Sequence, residues 1–235
     1  AIGYEALRFN TASNNTAIGS GALSSAVTGG YNVAVGNGGL KSTTSGIENV
    51  AIGFYSLYDN TTGSGNTALG AQSAANITAS SYNLALGYYA LFAATNSSYN
   101  VAVGKDALRN CINCDNNIGI GTTSLYTNQA DYNIAIGYAS MYANTTGDKN
   151  VTIGYNAMHD NTTGYQNTAI GYGAYENGTT GFSNTAIGFN SLASITTSYY
   201  NTAIGQDAAK NTTGFGNTAV GSLALYSNTT GSKIV

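Results

Sequence analysis

Residues 49–70 read NVAIGFYSLYDNTTGSGNTALG, a string that opens and closes on one pattern, Asn-x-Ala-(Ile/Val/Leu)-Gly. Extended in both directions, that pattern accounts for the whole chain. Its glycines are Gly3, Gly19, Gly36, Gly53, Gly70, Gly87, Gly104, Gly121, Gly137, Gly154, Gly171, Gly188, Gly205 and Gly221, always 16 or 17 residues apart. Four residues ahead stand Asn15, Asn32, Asn49, Asn66, Asn83, Asn100, Asn117, Asn133, Asn150, Asn167, Asn184, Asn201 and Asn217. So short a fixed period marks a solenoid, in which each repeat is one coil stacked on the next. The expected fold is all-β: a parallel β-solenoid of about 14 coils with a 16–17-residue period, one continuous array over residues 1–235 without separate domains or evident caps.

Composition excludes other classes. Charged residues make up 7% of the chain, far below a globular average of about a quarter. Disorder is disfavoured because 43% of residues are hydrophobic and recur in register. A net charge of −3 offers phosphates no basic stripe, so nucleic acid is not an expected partner. No apolar run approaches the ~20 residues needed to insert across a bilayer. The chain starts without Met or a signal-peptide pattern, which reads as a processed product or a piece of something longer.

Counting the glycine as position 0, position −1 is Ile, Val or Leu in every repeat, and −2 is Ala except for Gly119 and Thr152. Position −3 is Val, Thr, Ile or Leu, so the segment reads as a short strand buried on both faces. One face is expected to pack into the coil, and the small Ala face to meet another copy of the chain. A second apolar column at +4, typified by Leu23, Leu57 and Met141, reads as the opposite wall. Between the walls lies a turn spelled Asn-Thr-Thr-Gly, as at 60–63 and 161–164. The asparagines at −4 read as an internal ladder rather than a ligand site, since stacked amides can bond the copies above and below at a repeat of roughly 4.8 Å. One coil cannot stand alone: three or four buried side chains contribute about 1.5–3 kcal/mol each, against roughly 1–2 kcal/mol for ordering each backbone. Stacking and lateral association must supply the difference.

The recurring Asn-(Thr/Val)-Ala-Ile-Gly, followed by a small residue and Leu, resembles the head repeats of trimeric autotransporter adhesins. It also resembles the repeats of bacteriophage and phage-like tail-fibre proteins. The resemblance covers the full chain and implies a left-handed parallel β-roll, wound as a homotrimer, in a surface-exposed attachment fibre. Two departures matter: the adhesin-head period is nearer 14 residues, and no neck, coiled-coil stalk or anchor is present in this sequence. The longer turn favours the tail-fibre-like relative.

Ile234 and Val235 align with positions −4 and −3, and Ala1 and Ile2 with −2 and −1, so the end reads into the beginning. This is the expected junction for end-to-end stacking of 14-coil blocks, each rising ~67 Å, or for a block cropped from a longer fibre. Cys111 and Cys114 form the only Cys-x-x-Cys. They supply two of the four ligands zinc wants, so a local disulfide is favoured over a metal site or free thiols. His159 and the scattered aspartates read as surface residues without a catalytic cluster. Tyr4, Tyr88, Tyr138, Tyr155 and Tyr172 at +1 are candidates for surface contacts, weighed against lateral packing.

No cofactor, metal or enzymatic activity is expected. The leading function is a structural fibre or filament shaft, extracellular, on a cell surface or on a virion. It would associate with itself and present attachment surfaces to a glycan or receptor. The alternative is a repetitive-surface binding module for glycans or ice.

Overall fold

The computed structural model describes residues 1–25 and 27–235. The chain divides into two compact units, Ala1–Asn117 and Ile118–Val235. The first carries β1 (Thr16–Ile18), β2 (Val33–Val35), β3 (Val50–Ile52), β4 (Thr67–Leu69), β5 (Leu84–Leu86) and β6 (Val101–Val103). The second carries β7 (Ile118–Ile120), β8 (Ile134–Ile136), β9 (Val151–Ile153), β10 (Thr168–Ile170), β11 (Thr185–Ile187), β12 (Thr202–Ile204) and β13 (Thr218–Val220). Each strand is the triplet at positions −3 to −1. Within each unit consecutive strands pair in parallel without slippage, so Ala34 faces Ala51 and Ala51 faces Ala68. Each unit is therefore a parallel β-solenoid in which like residue sits on like.

The strands face the opposite way from the sequence expectation. Alanine at −2 is the buried residue and the side chains at −3 and −1 look outward, giving a buried centre between half-exposed flanks in strand after strand. Ala34, Ala51, Ala68, Ala85 and Ala102 have no exposed surface. Facing them across the coil are Leu40, Leu57, Leu91 and Leu108, equally buried. The reason is width: large side chains on the far wall, chiefly the +4 residue, fill the interior and leave the −2 place room only for a small one. The alanine face is thus interior and offers nothing to a second copy.

The 16-residue coils lose their residue in or just before the turn. Where a 17-residue coil has asparagine at +7, its amide clamps the carbonyl three residues on, as in Asn60 Nδ2 to Gly63 O at 3.0 Å and Asn144 Nδ2 to Gly147 O at 2.9 Å. In two of the three shorter coils the clamp spans two residues, Asn10 to Ala12 and Asn128 to Ala130, whereas in the coil from Gly205 the Asn211–Gly214 turn begins one place earlier and Thr212 stands at +7. The turn region absorbs the deletion, and the strand register is untouched.

Backbone donors alternate between neighbours. Tyr55 N–H at +2 reaches back to Asn37 O (3.0 Å), whereas Leu57 N–H at +4 reaches forward to Ser73 O (3.0 Å). Alternation is achieved by placing +2, +4 and −5 in the left-handed region, with φ of 54° at Tyr55, 49° at Leu57 and 59° at Tyr82. Side chains other than glycine adopt that conformation at a cost of roughly 1–2 kcal/mol each. The bonds to neighbouring coils hold them there. At position 0 even this is excluded: a Cβ on Gly70 (φ 136°) would lie 2.6 Å from the next glycine's carbonyl oxygen.

The −4 asparagines form the ladder that completes the pairing. In both units each Oδ1 accepts the backbone N–H of the asparagine one coil on, at 2.8–3.0 Å. Most of the Nδ2 groups donate to a carbonyl of the turn in their own coil, as from Asn49 to Gly63 and from Asn66 to Ser80, both at 2.8 Å, while Asn201 donates to Ser198 Oγ at 2.9 Å. Asn66→Ala strands the N–H of Asn83 and the carbonyl of Ser80 in a dry interior, so it should destabilise the fold by about 3 kcal/mol. Asn37→Ala, at an exposed position outside the left-handed region, should change stability by less than about 0.5 kcal/mol. Urea unfolding of the two variants checks the contrast.

Candidate functional surface

Outward-facing strand residues give each unit one flat face made of two columns. In the first unit the −1 column is Ile2, Ile18, Val35, Ile52, Leu69, Leu86 and Val103, and the −3 column is Thr16, Val33, Val50, Thr67, Leu84 and Val101. Neither contains a charge. Ile18 is 41% exposed and Leu69 50%, high values for aliphatic side chains with neighbours on both sides. In the second unit the −1 column runs from Ile120 to Val220, again aliphatic throughout, and Thr168, Thr185, Thr202 and Thr218 occupy four successive −3 places.

Aromatic columns border this face. Tyr4, Tyr88, Tyr138, Tyr155 and Tyr172 are exposed beside the glycine corner. The last three stack with Phe189 in one column, with centroids 5.1, 4.9 and 5.4 Å apart and planes within 17°. A second column, Tyr165, Phe182, Tyr199 and Phe215, stacks at 5.0–5.2 Å. Rings stacked so closely cover one another's faces and show solvent their edges. They make poor platforms for a sugar ring, which needs a free aromatic face. His159 ends a third stack, on Tyr142 at 5.2 Å, and its Nδ1 lies 2.6 Å from the Asp160 carboxylate.

The remaining singled-out residues lie inside the wall or at its ends. Cys111 and Cys114 are buried and joined by a disulfide. They occupy the +7 and +10 places, so the covalent bond stands where other coils use the Asn–Gly clamp. Ile2 makes an isolated parallel bridge with Ile18. Ile234 N–H donates to Asn217 Oδ1 at 3.0 Å, in the place of the next ladder asparagine, while Ala1 and Val235 are exposed. Among the described residues, no three of His, Cys, Asp or Glu are grouped where they could hold a metal ion.

Tyr175 carries a role that spacing did not show. It replaces leucine at +4 and is fully buried, and its hydroxyl accepts a bond from Asn184 Nδ2 at 3.0 Å. The ring fills the volume left by Gly178, which stands where other coils have asparagine; a Cβ there would meet the ring at 2.5 Å. Burial raises the phenol well above its ordinary value near 10. An acid whose folded-state affinity for its proton is raised contributes stability below its unfolded pKa and loses it as pH climbs. Stability of the wild type should therefore fall above about pH 10, and Tyr175→Phe should flatten that decline in pH-dependent thermal melts.

Comparison with protein-family models, curated proteins and solved structures finds no match to this chain.

Proposed function

We propose that the chain is a structural segment of an extracellular fibre or filament shaft, tail-fibre-like or adhesin-like, that associates with copies of itself through the outward aliphatic face. The observation that carries this reading is the uncharged pair of columns at −3 and −1, unbroken through each unit. Soluble monomers rarely expose contiguous apolar patches beyond a few hundred Å². In the first unit Tyr4, Tyr31, Phe54, Tyr82, Tyr88 and Tyr99, each between 47% and 77% exposed, rim the face. At about 100 Å² apiece they contribute roughly 600 Å². The aliphatic columns bring the total toward the ~800 Å² per partner that stable interfaces bury. Three copies around a common axis would turn every such face inward. The disulfide fits an oxidising compartment, at a cell surface or on a virion.

Ice binding is the second reading, favoured by the four-threonine run of the second unit. Against it, the alternate column is Ile or Val, and turn threonines such as Thr162 and Thr179 bond carbonyls of the next coil.

Sedimentation of the purified chain should give an oligomer mass, three times 23.9 kDa being expected. Ile52→Lys combined with Ile153→Lys should yield monomers with an unchanged circular dichroism spectrum. A wild type that stays monomeric at ~100 μM overturns the reading, since an interface of this size holds at micromolar concentration or below. Thermal hysteresis in the same sample would move the assignment to ice.

A further inference from the structure

Two successive coils interrupt the bulky +1 and +2 columns. The four dipeptides are Tyr4-Glu5, Ser20-Gly21, Asn37-Gly38 and Phe54-Tyr55, so small residues lie between aromatic ones. Over them opens a recess of about 230 Å³. Gly21 and Gly38 form its floor, both left-handed, with φ of 68° and 66°. Nothing lies within 4 Å above Gly21, whereas the Tyr55 ring leans over Gly38. That ring is fixed by stacking on Phe54 at 4.0 Å and against Tyr58 at 4.6 Å. Tyr4 marks the other end.

The polar groups of the recess are held in place. Arg8 pairs with Glu5, and Lys41 Nζ donates to the Tyr58 hydroxyl at 3.2 Å. Ser20 and Asn37, both exposed, make no side-chain hydrogen bond within the protein among the described residues. A ligand would thus meet a fixed carboxylate, a fixed ammonium, a free hydroxyl and a free amide between two aromatic walls. A simple anion is opposed by Glu5, a simple cation by Lys41, and an apolar molecule by the polar lining. A neutral ring with hydroxyls that both donate and accept, and with an apolar C–H face, satisfies all of them. The volume lies below the roughly 300–1,000 Å³ of drug-sized sites, which suits a single sugar ring.

We propose that this recess is a binding site for one neutral pyranose residue, either free or within a glycan. The recess lies in the first unit; its Tyr4 end also rims the proposed self-association face, so sugar binding is read by NMR and self-association separately by sedimentation. Saturation-transfer NMR with the methyl glycosides of glucose, galactose and mannose, and with N-acetylglucosamine, tests it on the intact chain. At least one should bind with a Kd on the order of 1 mM, as expected of a small site. Ser20→Tyr, which restores the ring that neighbouring coils carry at +1, should weaken that binding at least tenfold, and Lys41→Met should weaken it similarly while the circular dichroism spectrum is retained. No transfer to any of the four at about 20 mM overturns the proposal. So does binding that Ser20→Tyr and Lys41→Met leave unchanged, or a clear preference for methyl glucuronoside over every neutral sugar.

Discussion

The structure depends on a requirement that no coil can meet alone: the backbone N–H and C=O groups of each three-residue strand, and many of those in the turns, must find a partner on another coil. The parallel triplets satisfy only part of the wall. At the inner corner the job passes to the −4 asparagine, whose Oδ1 holds the next coil's backbone and whose Nδ2 holds the turn of its own. One side chain therefore joins strand, turn and neighbour. Losing register by one residue would unmake every such junction in a unit together, and the asparagine and the glycine are accordingly the two positions that never vary in the array.

Much of this was legible in the sequence, because in-phase stacking writes itself into columns: the fold class, the period, the strand triplets and the buried +4 wall all follow from residues such as Ala51, Leu57 and Gly53. The direction of the strand was not. When both parities of a strand are apolar, alternation cannot say which faces inward; the narrowness of the coil decides, admitting Ala51 and turning out Val50 and Ile52. Left-handed residues such as Leu57 carry no signal either, since their conformation is imposed by neighbouring coils rather than by glycine. Tyr175 with Gly178, and Cys111 with Cys114, were visible as departures, yet their shared meaning required the interior volume. Each pair closes the same corner by other means: a ring and hydroxyl in one coil, a disulfide in the other.

Function follows from where the columns are uniform and where they break. Uniformity at −3 and −1 produces an extended surface without charge, suited to a repeated partner with the same axial spacing, and another copy of this chain meets that condition. Interruption at Ser20-Gly21 and Asn37-Gly38 produces a local recess instead. Repetition supplies the scaffold and, as proposed, its lateral contacts, and the exception supplies the proposed site for a small ligand.

The most direct test of the stacked-coil account is hydrogen exchange of asparagine side-chain amides, followed by NMR on the folded chain. Asn66, Asn83, Asn150 and Asn184 should show slow exchange, with Nδ2 protons protected like core backbone amides, while those of exposed Asn37 exchange freely. Equal, rapid exchange at all these positions would mean that the asparagines do not bridge successive coils, and the architecture described here would be wrong.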